Sequence, residues 1–198
     1  MEQNKLLLII NHMDWFWSHR LPLAQGAKEA GWDVHVCAGA ASNNEKLEKN
    51  GYSGVGLPRN PLAIIFQLWR ILGREKPAMV HVITLKYAFM AGLASRFYPK
   101  LRIVHTIAGL GYLFSGQGFL PVFLRFLVGP FLKFALRHPR ARIIFQNPDD
   151  QALMIEQGFV RSSQVHLIRG SGVDLNVLGW NARILALSSK PDRRGFGK

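Results

Sequence analysis

Short apolar runs alternate with helix-length segments along most of the chain. The runs are five to seven residues long and apolar almost throughout, as expected for strands covered on both faces. The predicted strands are Leu6–Ile10, Asp33–Ala38, Tyr52–Leu57, Ala78–Ile83, Leu101–Ile107, Arg142–Gln146 and Gln164–Arg169. Because strands that alternate with helices form βαβ units, we predict an α/β fold. It is a Rossmann-like, doubly wound, mostly parallel sheet of about seven strands with helices on both faces.

The segments between the runs carry helix signals. Gly31 follows the first segment, where a glycine suits the end of a helix, and Pro61 stands at a favoured early position of another. The predicted helices are Arg20–Ala30, Asn43–Asn50, Pro61–Lys76, Lys86–Phe97, Phe119–Leu136 and Pro148–Gln157. We expect one domain over residues 1–178. Residues 179–198 lose the pattern and are predicted to be an irregular basic tail.

The composition restricts the partners. A net charge of +13 implies an anionic partner, which could be nucleic acid, acidic lipid or a phosphorylated substrate. Nucleic acid is disfavoured, because the basic residues are dispersed and no zinc-finger or RNA-recognition signature is present. The single cysteine, Cys37, permits no disulfide within the chain, and the first ten residues lack the features of a signal peptide. We therefore expect a cytoplasmic protein.

The turn after the first strand is rich in aromatic residues and ends in Ser18, His19 and Arg20. It lacks the Gly-x-Gly-x-x-Gly pattern of dinucleotide-binding folds, so NAD or FAD binding here is not expected. Ser18 suits the N-cap of a helix whose N-terminus would attract an anion, and Arg20 could clamp a phosphate. Alternatively, the aromatic residues pack on the sheet and Ser18 merely caps the helix.

His105 is predicted to end a strand and to precede a glycine-bearing loop with Gly109 and Gly111. Ligands of open α/β sheets bind beyond the carboxyl ends of the strands, where an imidazole next to a permissive backbone could form a reaction site. The alternative is a hydrogen-bonded structural histidine, as we expect for the other strand histidines.

Two further segments have competing interpretations. Residues 169–174 follow the last strand, and their two glycines permit close ligand approach, a hinge or an ordinary turn. Phe119–Leu136 is almost entirely apolar, with Arg125 and Lys133 inside it. It could be a core helix, a spanning helix or an interfacial helix on an anionic membrane, and its two charges and two helix breakers disfavour the spanning helix. No metal-ligand spacing and no nucleophile elbow occur in the sequence.

Four motifs occur in order along the chain. They are Ser18-His19-Arg20-Leu21-Pro22-Leu23-Ala24, His105-Thr106-Ile107 with Gly109-Leu110-Gly111-Tyr112, Phe145-Gln146-Asn147 with Asp150, and Arg169-Gly170-Ser171-Gly172-Val173-Asp174. With them the chain resembles, from about Lys5 to Leu178, the N-terminal, acceptor-binding half of a family 4, GT-B fold glycosyltransferase. The subgroup it resembles builds bacterial surface polysaccharides.

This resemblance implies a retaining transfer of a sugar from a nucleotide-sugar donor to a lipid-linked or saccharide acceptor. It implies a catalytic role for His105 facing the donor sugar. The implied acceptor-binding residues are Ser18, His19, Arg20, Gly109, Gly111 and Tyr112. The implied residues of the cleft and interdomain linker are Asn147, Arg169, Ser171, Gly172 and Asp174. It implies no metal and no other cofactor, because the nucleotide sugar is a substrate.

The chain departs from the family in two places. Trp15-Phe16-Trp17 stands where many relatives carry a glycine pair. We also expect that the C-terminal donor-binding domain of the family is not part of this chain. Residues 179–198 resemble a truncated or frame-shifted end, so we expect little or no activity from this chain alone. The expected partners are a lipid-linked saccharide, the donor-binding domain and the anionic inner face of the plasma membrane, with peripheral attachment. The alternatives are a non-catalytic, membrane-associated subunit of a split transferase and a sugar-nucleotide epimerase of the same fold.

Overall fold

A computed structural model describes residues 4–39, 44–111, 114 and 119–169. Its sheet has seven parallel strands in the order β3-β2-β1-β4-β5-β6-β7. The strands are β1 (Lys5–His12), β2 (Asp33–Gly39), β3 (Ser53–Leu57), β4 (Met79–Ile83), β5 (Arg102–Ile107), β6 (Ala141–Phe145) and β7 (Val165–Leu167). The predicted fold class is therefore confirmed.

Helices connect successive strands. They are α1 (Met13–Trp15), a π-helical turn (Phe16–Arg20), α2 (Leu21–Glu29), α3 (Asn44–Lys49), α4 (Pro61–Glu75), α5 (Leu85–Ser95), α6 (Phe119–Leu136), α7 (Pro148–Glu156) and a 3₁₀ turn (Ser162–Gln164). The first helical connection begins at Met13, seven residues before the predicted start at Arg20. Met13 and Phe16 are buried against the sheet, and this packing makes the aromatic turn helical.

Alternate residues of the strands pack against two different layers of helices. Leu8 of β1 belongs to a buried cluster with Phe16 and Leu47, on the face that carries α1, α2 and α3. Ile9 points to the opposite face and belongs to a cluster with Leu68 of α4 and residues of α5. Helices α6 and α7 cover the β5–β6 end of that second face. The sheet is therefore doubly wound, as its order indicates.

Helix α6 lies on the sheet and packs beside α5. Leu132 and Leu136 are buried in the cluster that includes Ile143 and Phe145 of β6. Within the described ranges, no helix is long and apolar enough to cross a membrane. The predicted domain limit at residue 178 and the predicted tail over residues 179–198 lie outside the described residues.

Candidate functional site

The strand order reverses between β1 and β4. The chain moves outward from β1 through β2 to β3 and then returns to place β4 on the other side of β1. In open α/β sheets, ligands bind at this switch point, in the crevice beyond the carboxyl ends of the strands. The structure has a cavity of about 390 Å³ there, lined by Asn11 at the end of β1, Thr84 after β4, and Gly109 and Gly111 after β5. We call it the switch-point cavity.

Thr84 has the most unusual backbone of the cavity wall. Its φ is +82°, in the region that favours glycine, and a β-branched residue is a clear outlier there. Its N–H donates to the Thr106 carbonyl at 3.0 Å, and its own carbonyl accepts from the Ala88 N–H at 2.9 Å. The ladder to β5 and the start of α5 therefore impose this conformation. Such strain clusters at functional sites.

The Thr84 hydroxyl is buried and has no hydrogen-bond partner among the described residues. A buried polar group without a partner calls for an explanation, and a ligand oxygen in the cavity would supply one. Thr84 is also the N-cap of α5 but makes no side-chain capping bond. The first N–H groups of α5 are thus near the same cavity, together with Lys86, and they favour an anionic or oxygen-rich ligand.

The glycine loop forms the opposite wall of the cavity. Gly111 has a φ of +63°, a conformation that side chains other than glycine rarely adopt, and a Cβ atom on Gly109 would meet open space. The apolar part of the wall comes from Phe89 on α5 and from Val128 and Leu132 on α6. The cavity thus joins polar groups at the sheet to an apolar side formed by α6. Sequence reasoning found both glycines but missed Thr84, Lys86 and the contribution of α6.

The residues of the first turn do not line the switch-point cavity. Ser18 does not cap a helix as predicted, because the helical connection begins at Met13. Its Oγ donates to the Asp14 carbonyl at 2.8 Å and lies 2.6 Å from Nδ1 of His19. Both Ser18 and His19 are exposed, whereas Arg20 is half-buried. Their predicted acceptor-binding role stays a prediction, because none of the three lines the described cavity.

Arg20 acts on the neighbouring strand through its charge. Burial lowers the pKa of Arg20, and its positive charge helps to lower the pKa of His81 to about 4, after the larger effect of burial on His81 itself. Nε2 of His81 lies 2.8 Å from Oγ1 of Thr106. The His81 imidazole is therefore neutral at pH 7 and joins β4 to β5.

His105 lies inside β5, so the interpretation that the strand ends on it is wrong, whereas the predicted strand Leu101–Ile107 is confirmed to within one residue. The strand continues to Ile107 because its backbone pairs with β4 as far as Thr106 and with β6 as far as Ile107. The ring is 0% exposed, and among the described residues neither ring nitrogen has a hydrogen-bond partner. Burial, followed by the charges of His138 and His81, lowers the pKa of His105 to about 3. The imidazole is therefore neutral, and its catalytic role stays a prediction that complete burial speaks against.

The predicted cleft and linker residues are only partly described. Asn147 caps α7, and its Oδ1 accepts the Asp149 N–H at 2.9 Å, which is a structural role. Arg169 is exposed just after β7. Four predicted site residues lie outside the described residues, namely Tyr112, Ser171, Gly172 and Asp174. Within the described part of the chain, no three His, Cys, Asp or Glu side chains converge as a metal site would require.

Comparisons with known proteins agree with this architecture. The family model described as "Glycosyl transferase 4-like" matches residues 5–147. No curated protein matches the chain in sequence. A sucrose-phosphate synthase from Thermosynechococcus elongatus is similar in structure, with a TM-score of 0.66 at 15% identity over 96% of this chain and 53% of that chain.

Two further structures are about equally similar. A glycosyltransferase from Rickettsia africae has a TM-score of 0.60 at 12% identity, over 95% of this chain and 49% of that chain. A UDP-GlcNAc 2-epimerase from Methanocaldococcus jannaschii has a TM-score of 0.60 at 13% identity, over 95% of this chain and 54% of that chain. The chain thus spans about half the length of these proteins.

Proposed function

Because the chain belongs to the glycosyl transferase 4-like family, we propose that it is the acceptor-binding half of a glycosyltransferase. The complete reaction is a hexosyl transfer from a nucleotide sugar to a lipid-linked or saccharide acceptor, with retained configuration, in polysaccharide biosynthesis. The observation that carries the proposal is the switch-point cavity, whose wall includes Thr84, a residue with a buried, unpartnered hydroxyl at the start of α5. The proposal requires no resident metal or other cofactor, because the nucleotide sugar is a substrate.

The two kinds of cavity wall suit an acceptor with two chemical parts. The Thr84 hydroxyl, the N-terminus of α5 and Lys86 favour hydroxyl or phosphate oxygens. Val128 and Leu132 place the apolar face of α6 at the same cavity. A saccharide joined through phosphate to a hydrocarbon chain carries both chemistries, so we place a lipid-linked saccharide here.

The outer surface of α6 supports attachment to a membrane. Phe126 is 80% exposed, and five neighbours on α6 are also large, apolar and exposed. They are Val122, Phe123, Leu127, Phe131 and Phe134. Because α6 carries Arg125 and Lys133 and no acidic residue, we propose that it rests on the anionic inner face of the plasma membrane. A lipid-linked acceptor would then meet the cavity from the membrane side.

The donor sugar is expected to bind elsewhere. The chain covers about half of the glycosyltransferase and synthase structures it resembles, and we assign the nucleotide to a C-terminal donor-binding domain. The same arrangement would hold if that domain is a separate polypeptide and this chain a non-catalytic, acceptor-binding subunit. In either case we expect this chain alone to bind acceptor without turnover.

Binding experiments test this assignment. We expect the chain to bind a short-chain prenyl diphosphate saccharide in calorimetry. Thr84→Val keeps the side-chain shape and removes the hydroxyl, so it should weaken binding about fivefold, the usual worth of one hydrogen bond. Ser53→Ala, which removes an exposed hydroxyl at the distant sheet edge, is the control and should bind as the wild type. Equal binding by wild type and Thr84→Val would contradict the proposal, as would tight binding of UDP-sugars by this chain alone.

A sugar-nucleotide epimerase is the second candidate, because the epimerase structure has the same TM-score as the Rickettsia glycosyltransferase. An epimerase acts on the sugar nucleotide itself and needs no acceptor. Binding of the prenyl diphosphate saccharide would therefore favour the transferase. Failure to bind it, together with epimerisation of a sugar nucleotide by the chain joined to a donor domain, would favour the epimerase.

A further inference from the structure

A second group of exposed aromatic side chains lies on α4 and at the end of α5. Phe66 and Trp69 of α4 have ring centroids 5.7 Å apart, and Trp69 and Phe97 have centroids 6.3 Å apart. Phe97 is 71% exposed, and Leu62, one turn before Phe66, is 77% exposed. We call Leu62, Phe66, Trp69 and Phe97 the α4–α5 patch. Water-exposed apolar clusters of this kind mark interaction surfaces.

The stretch of sequence that contains the patch is strongly basic. Residues 61–148 contain 12 Lys and Arg and a single acidic residue, Glu75. The negative charge of Glu75 is paired, because its carboxylate accepts hydrogen bonds from Nζ of Lys5 at 2.6 Å and from Nε of Arg74 at 2.9 Å. The bond from Lys5 is the main cause of the lowered pKa of Glu75. The Arg70 guanidinium lies 5.9 Å from the Phe66 ring centroid. The partner of this surface must therefore combine apolar groups with negative charge.

An apolar slot opens beside the patch, between the ends of α4 and α5. This cavity of about 530 Å³ is lined by Leu72, Pro77, Phe97 and Leu101, with Lys76 and Lys100 on its wall. Both lysines are exposed. A hydrocarbon floor with two ammonium groups beside it fits the glycerol end and phosphate of an anionic phospholipid.

Lys76 occupies a position whose backbone conformation favours glycine. It terminates α4 with a φ of +43°, in the left-handed region where glycine is the usual residue. A lysine at this position is strained relative to glycine. Its ammonium also suits the C-terminal end of the helix dipole, so the fold alone gives one reason for a cation here. The apolar slot beside Lys76 and the second cation on its wall, Lys100, give another reason, which is the binding of an anion.

The α4–α5 patch is continuous with the exposed face of α6. Helix α5 packs against both α4 and α6. Arg96, next to Phe97, stacks its guanidinium 3.9 Å from the ring centroid of Phe134 on α6. Aromatic and basic groups therefore run from α4 across the end of α5 to α6 on one side of the sheet.

We infer that the α4–α5 patch is a second docking surface for the anionic membrane, with an anionic phospholipid headgroup between Lys76 and Lys100. The inference rests on the proposed membrane contact of α6 and extends it. One helix on a bilayer leaves the molecule free to roll about the helix axis, whereas contacts at both α4 and α6 fix its orientation. The switch-point cavity would then keep a constant position relative to the lipid surface.

Vesicle binding of the full chain tests the inference. Wild type is titrated with vesicles of phosphatidylcholine alone and with vesicles that also contain phosphatidylglycerol. Lys76→Gly should raise the thermal unfolding temperature by relieving the backbone strain, yet weaken binding to the anionic vesicles about fivefold, the effect of one basic residue at such a surface. Lys49→Gln removes a cation from α3 on the other layer and should leave the affinity unchanged.

A second measurement reports the position of Trp69 directly. Brominated lipids quench tryptophans that enter the bilayer, and the difference between wild type and Trp69→Phe isolates the share of Trp69. We expect that share to be quenched in anionic vesicles. The double variant Phe66→Ser and Phe97→Ser should weaken vesicle binding about tenfold or more without loss of fold, because both rings are exposed.

The outcomes separate the inference from the proposed function. If wild type binds anionic vesicles, and Phe126→Ser weakens binding while Lys76→Gly and the double variant do not, the second docking surface is wrong and the α6 contact stands. If wild type does not bind anionic vesicles at low salt, the α6 contact fails and this inference fails with it. Unquenched Trp69 in bound protein would overturn the inference alone, and would leave a protein partner as the occupant of the patch.

Discussion

The two helical layers of this molecule pack against the sheet in the same way but differ on their outer surfaces. Both place buried apolar residues against the sheet, such as Leu47 of α3 on one side and Leu68 of α4 on the other. The outer side of α3 is polar and carries paired charges, with Nζ of Lys49 2.7 Å from Glu45. The outer sides of α4 and α6 expose aromatic rings among cations. Because core formation needs only the inner faces, the outer difference points to function.

Acid should cause the largest loss of stability, through one buried histidine on each side of the sheet. His105 faces the α4–α6 layer and His81 the other face, and their pKa values are lowered to about 3 and about 4. In the unfolded chain both would titrate near 6.5, so the unfolded state binds more protons at lower pH. Stability is therefore fully present above about pH 6.5 and falls by several kcal/mol as pH drops towards 4.

Thermal unfolding between pH 7.5 and pH 4 measures this loss. His105→Asn removes the more strongly perturbed histidine and should make the decline with pH shallower. His166→Asn, at an exposed histidine of β7, is the control and should follow the wild type. An unfolding temperature that does not change between pH 6.5 and pH 4 would contradict the neutral buried state of both rings.

Substitutions on the two sides of α4 sharpen the distinction between core and surface. Leu68 is 0% exposed in the cluster beneath α4, so Leu68→Ala should lower the free energy of unfolding by about 2–5 kcal/mol. Phe66→Ala, on the exposed side two residues earlier, should change it by less than about 0.5 kcal/mol. Chemical denaturation of both variants checks the difference. An equal loss of unfolding free energy in both variants would mean that the exposed rings of α4 stabilise the fold.

Replacement of glycine by alanine should change the free energy of unfolding in opposite directions in the two layers. A Cβ atom on Gly92 of α5 would lie 2.8 Å from the Ala135 carbonyl oxygen of α6, so Gly92→Ala must push the two helices apart. We expect a loss of about 1–3 kcal/mol. Gly26 of α2 has no atom within 4 Å of such a Cβ, and Gly26→Ala should stabilise the helix by about 0.5–1 kcal/mol. A loss in both variants would show that close approach is not peculiar to the α5–α6 contact.

The smallest expected effect on stability is that of Thr84→Gly, which distinguishes the backbone strain at Thr84 from its role in ligand binding. Thr84→Gly accepts the φ of +82° without strain and should raise the free energy of unfolding by about 1 kcal/mol or less, since glycine also loses more entropy on folding. Acceptor binding should weaken at the same time, because the hydroxyl is lost. Differential scanning calorimetry with and without the prenyl diphosphate saccharide checks both effects. A stabilised variant with unchanged binding would remove Thr84 from the proposed site.

The sequence predicts the fold well because the signals are repeated and local. The alternation of apolar runs with helical segments specifies βαβ units, and the strands occur close to their predicted positions. The start of the first helix was missed, since the helical turn around Phe16 depends on packing against the sheet. His105 does not end its strand, although the bounds predicted for that strand, Leu101–Ile107, are close to those of β5.

The candidate site is only partly predictable for a related reason. Gly109 and Gly111 can be predicted because glycine in a loop indicates a backbone conformation or a close approach that other residues do not allow. Thr84 carries no such mark, since its strained backbone results from the ladder to Thr106 on another strand. The aromatic face of α4 was also missed, because its inner residues fit a core helix and a helical period alone does not show which side remains uncovered.

The fluorescence of a probe attached to an introduced cysteine tests the central claim. The claim is that the α4–α6 layer, and not the α1–α3 layer, faces an anionic membrane. Cys37 is buried, and this burial, together with the charge of Glu75, raises the pKa of its thiol to about 12, so it should not react with a label. An environment-sensitive probe is attached through Phe126→Cys, Phe66→Cys or Glu48→Cys. We expect a blue shift and stronger emission at positions 126 and 66 on addition of phosphatidylglycerol vesicles, and no change at position 48. A response at position 48 equal to the others, or no response at positions 126 and 66, would contradict the account.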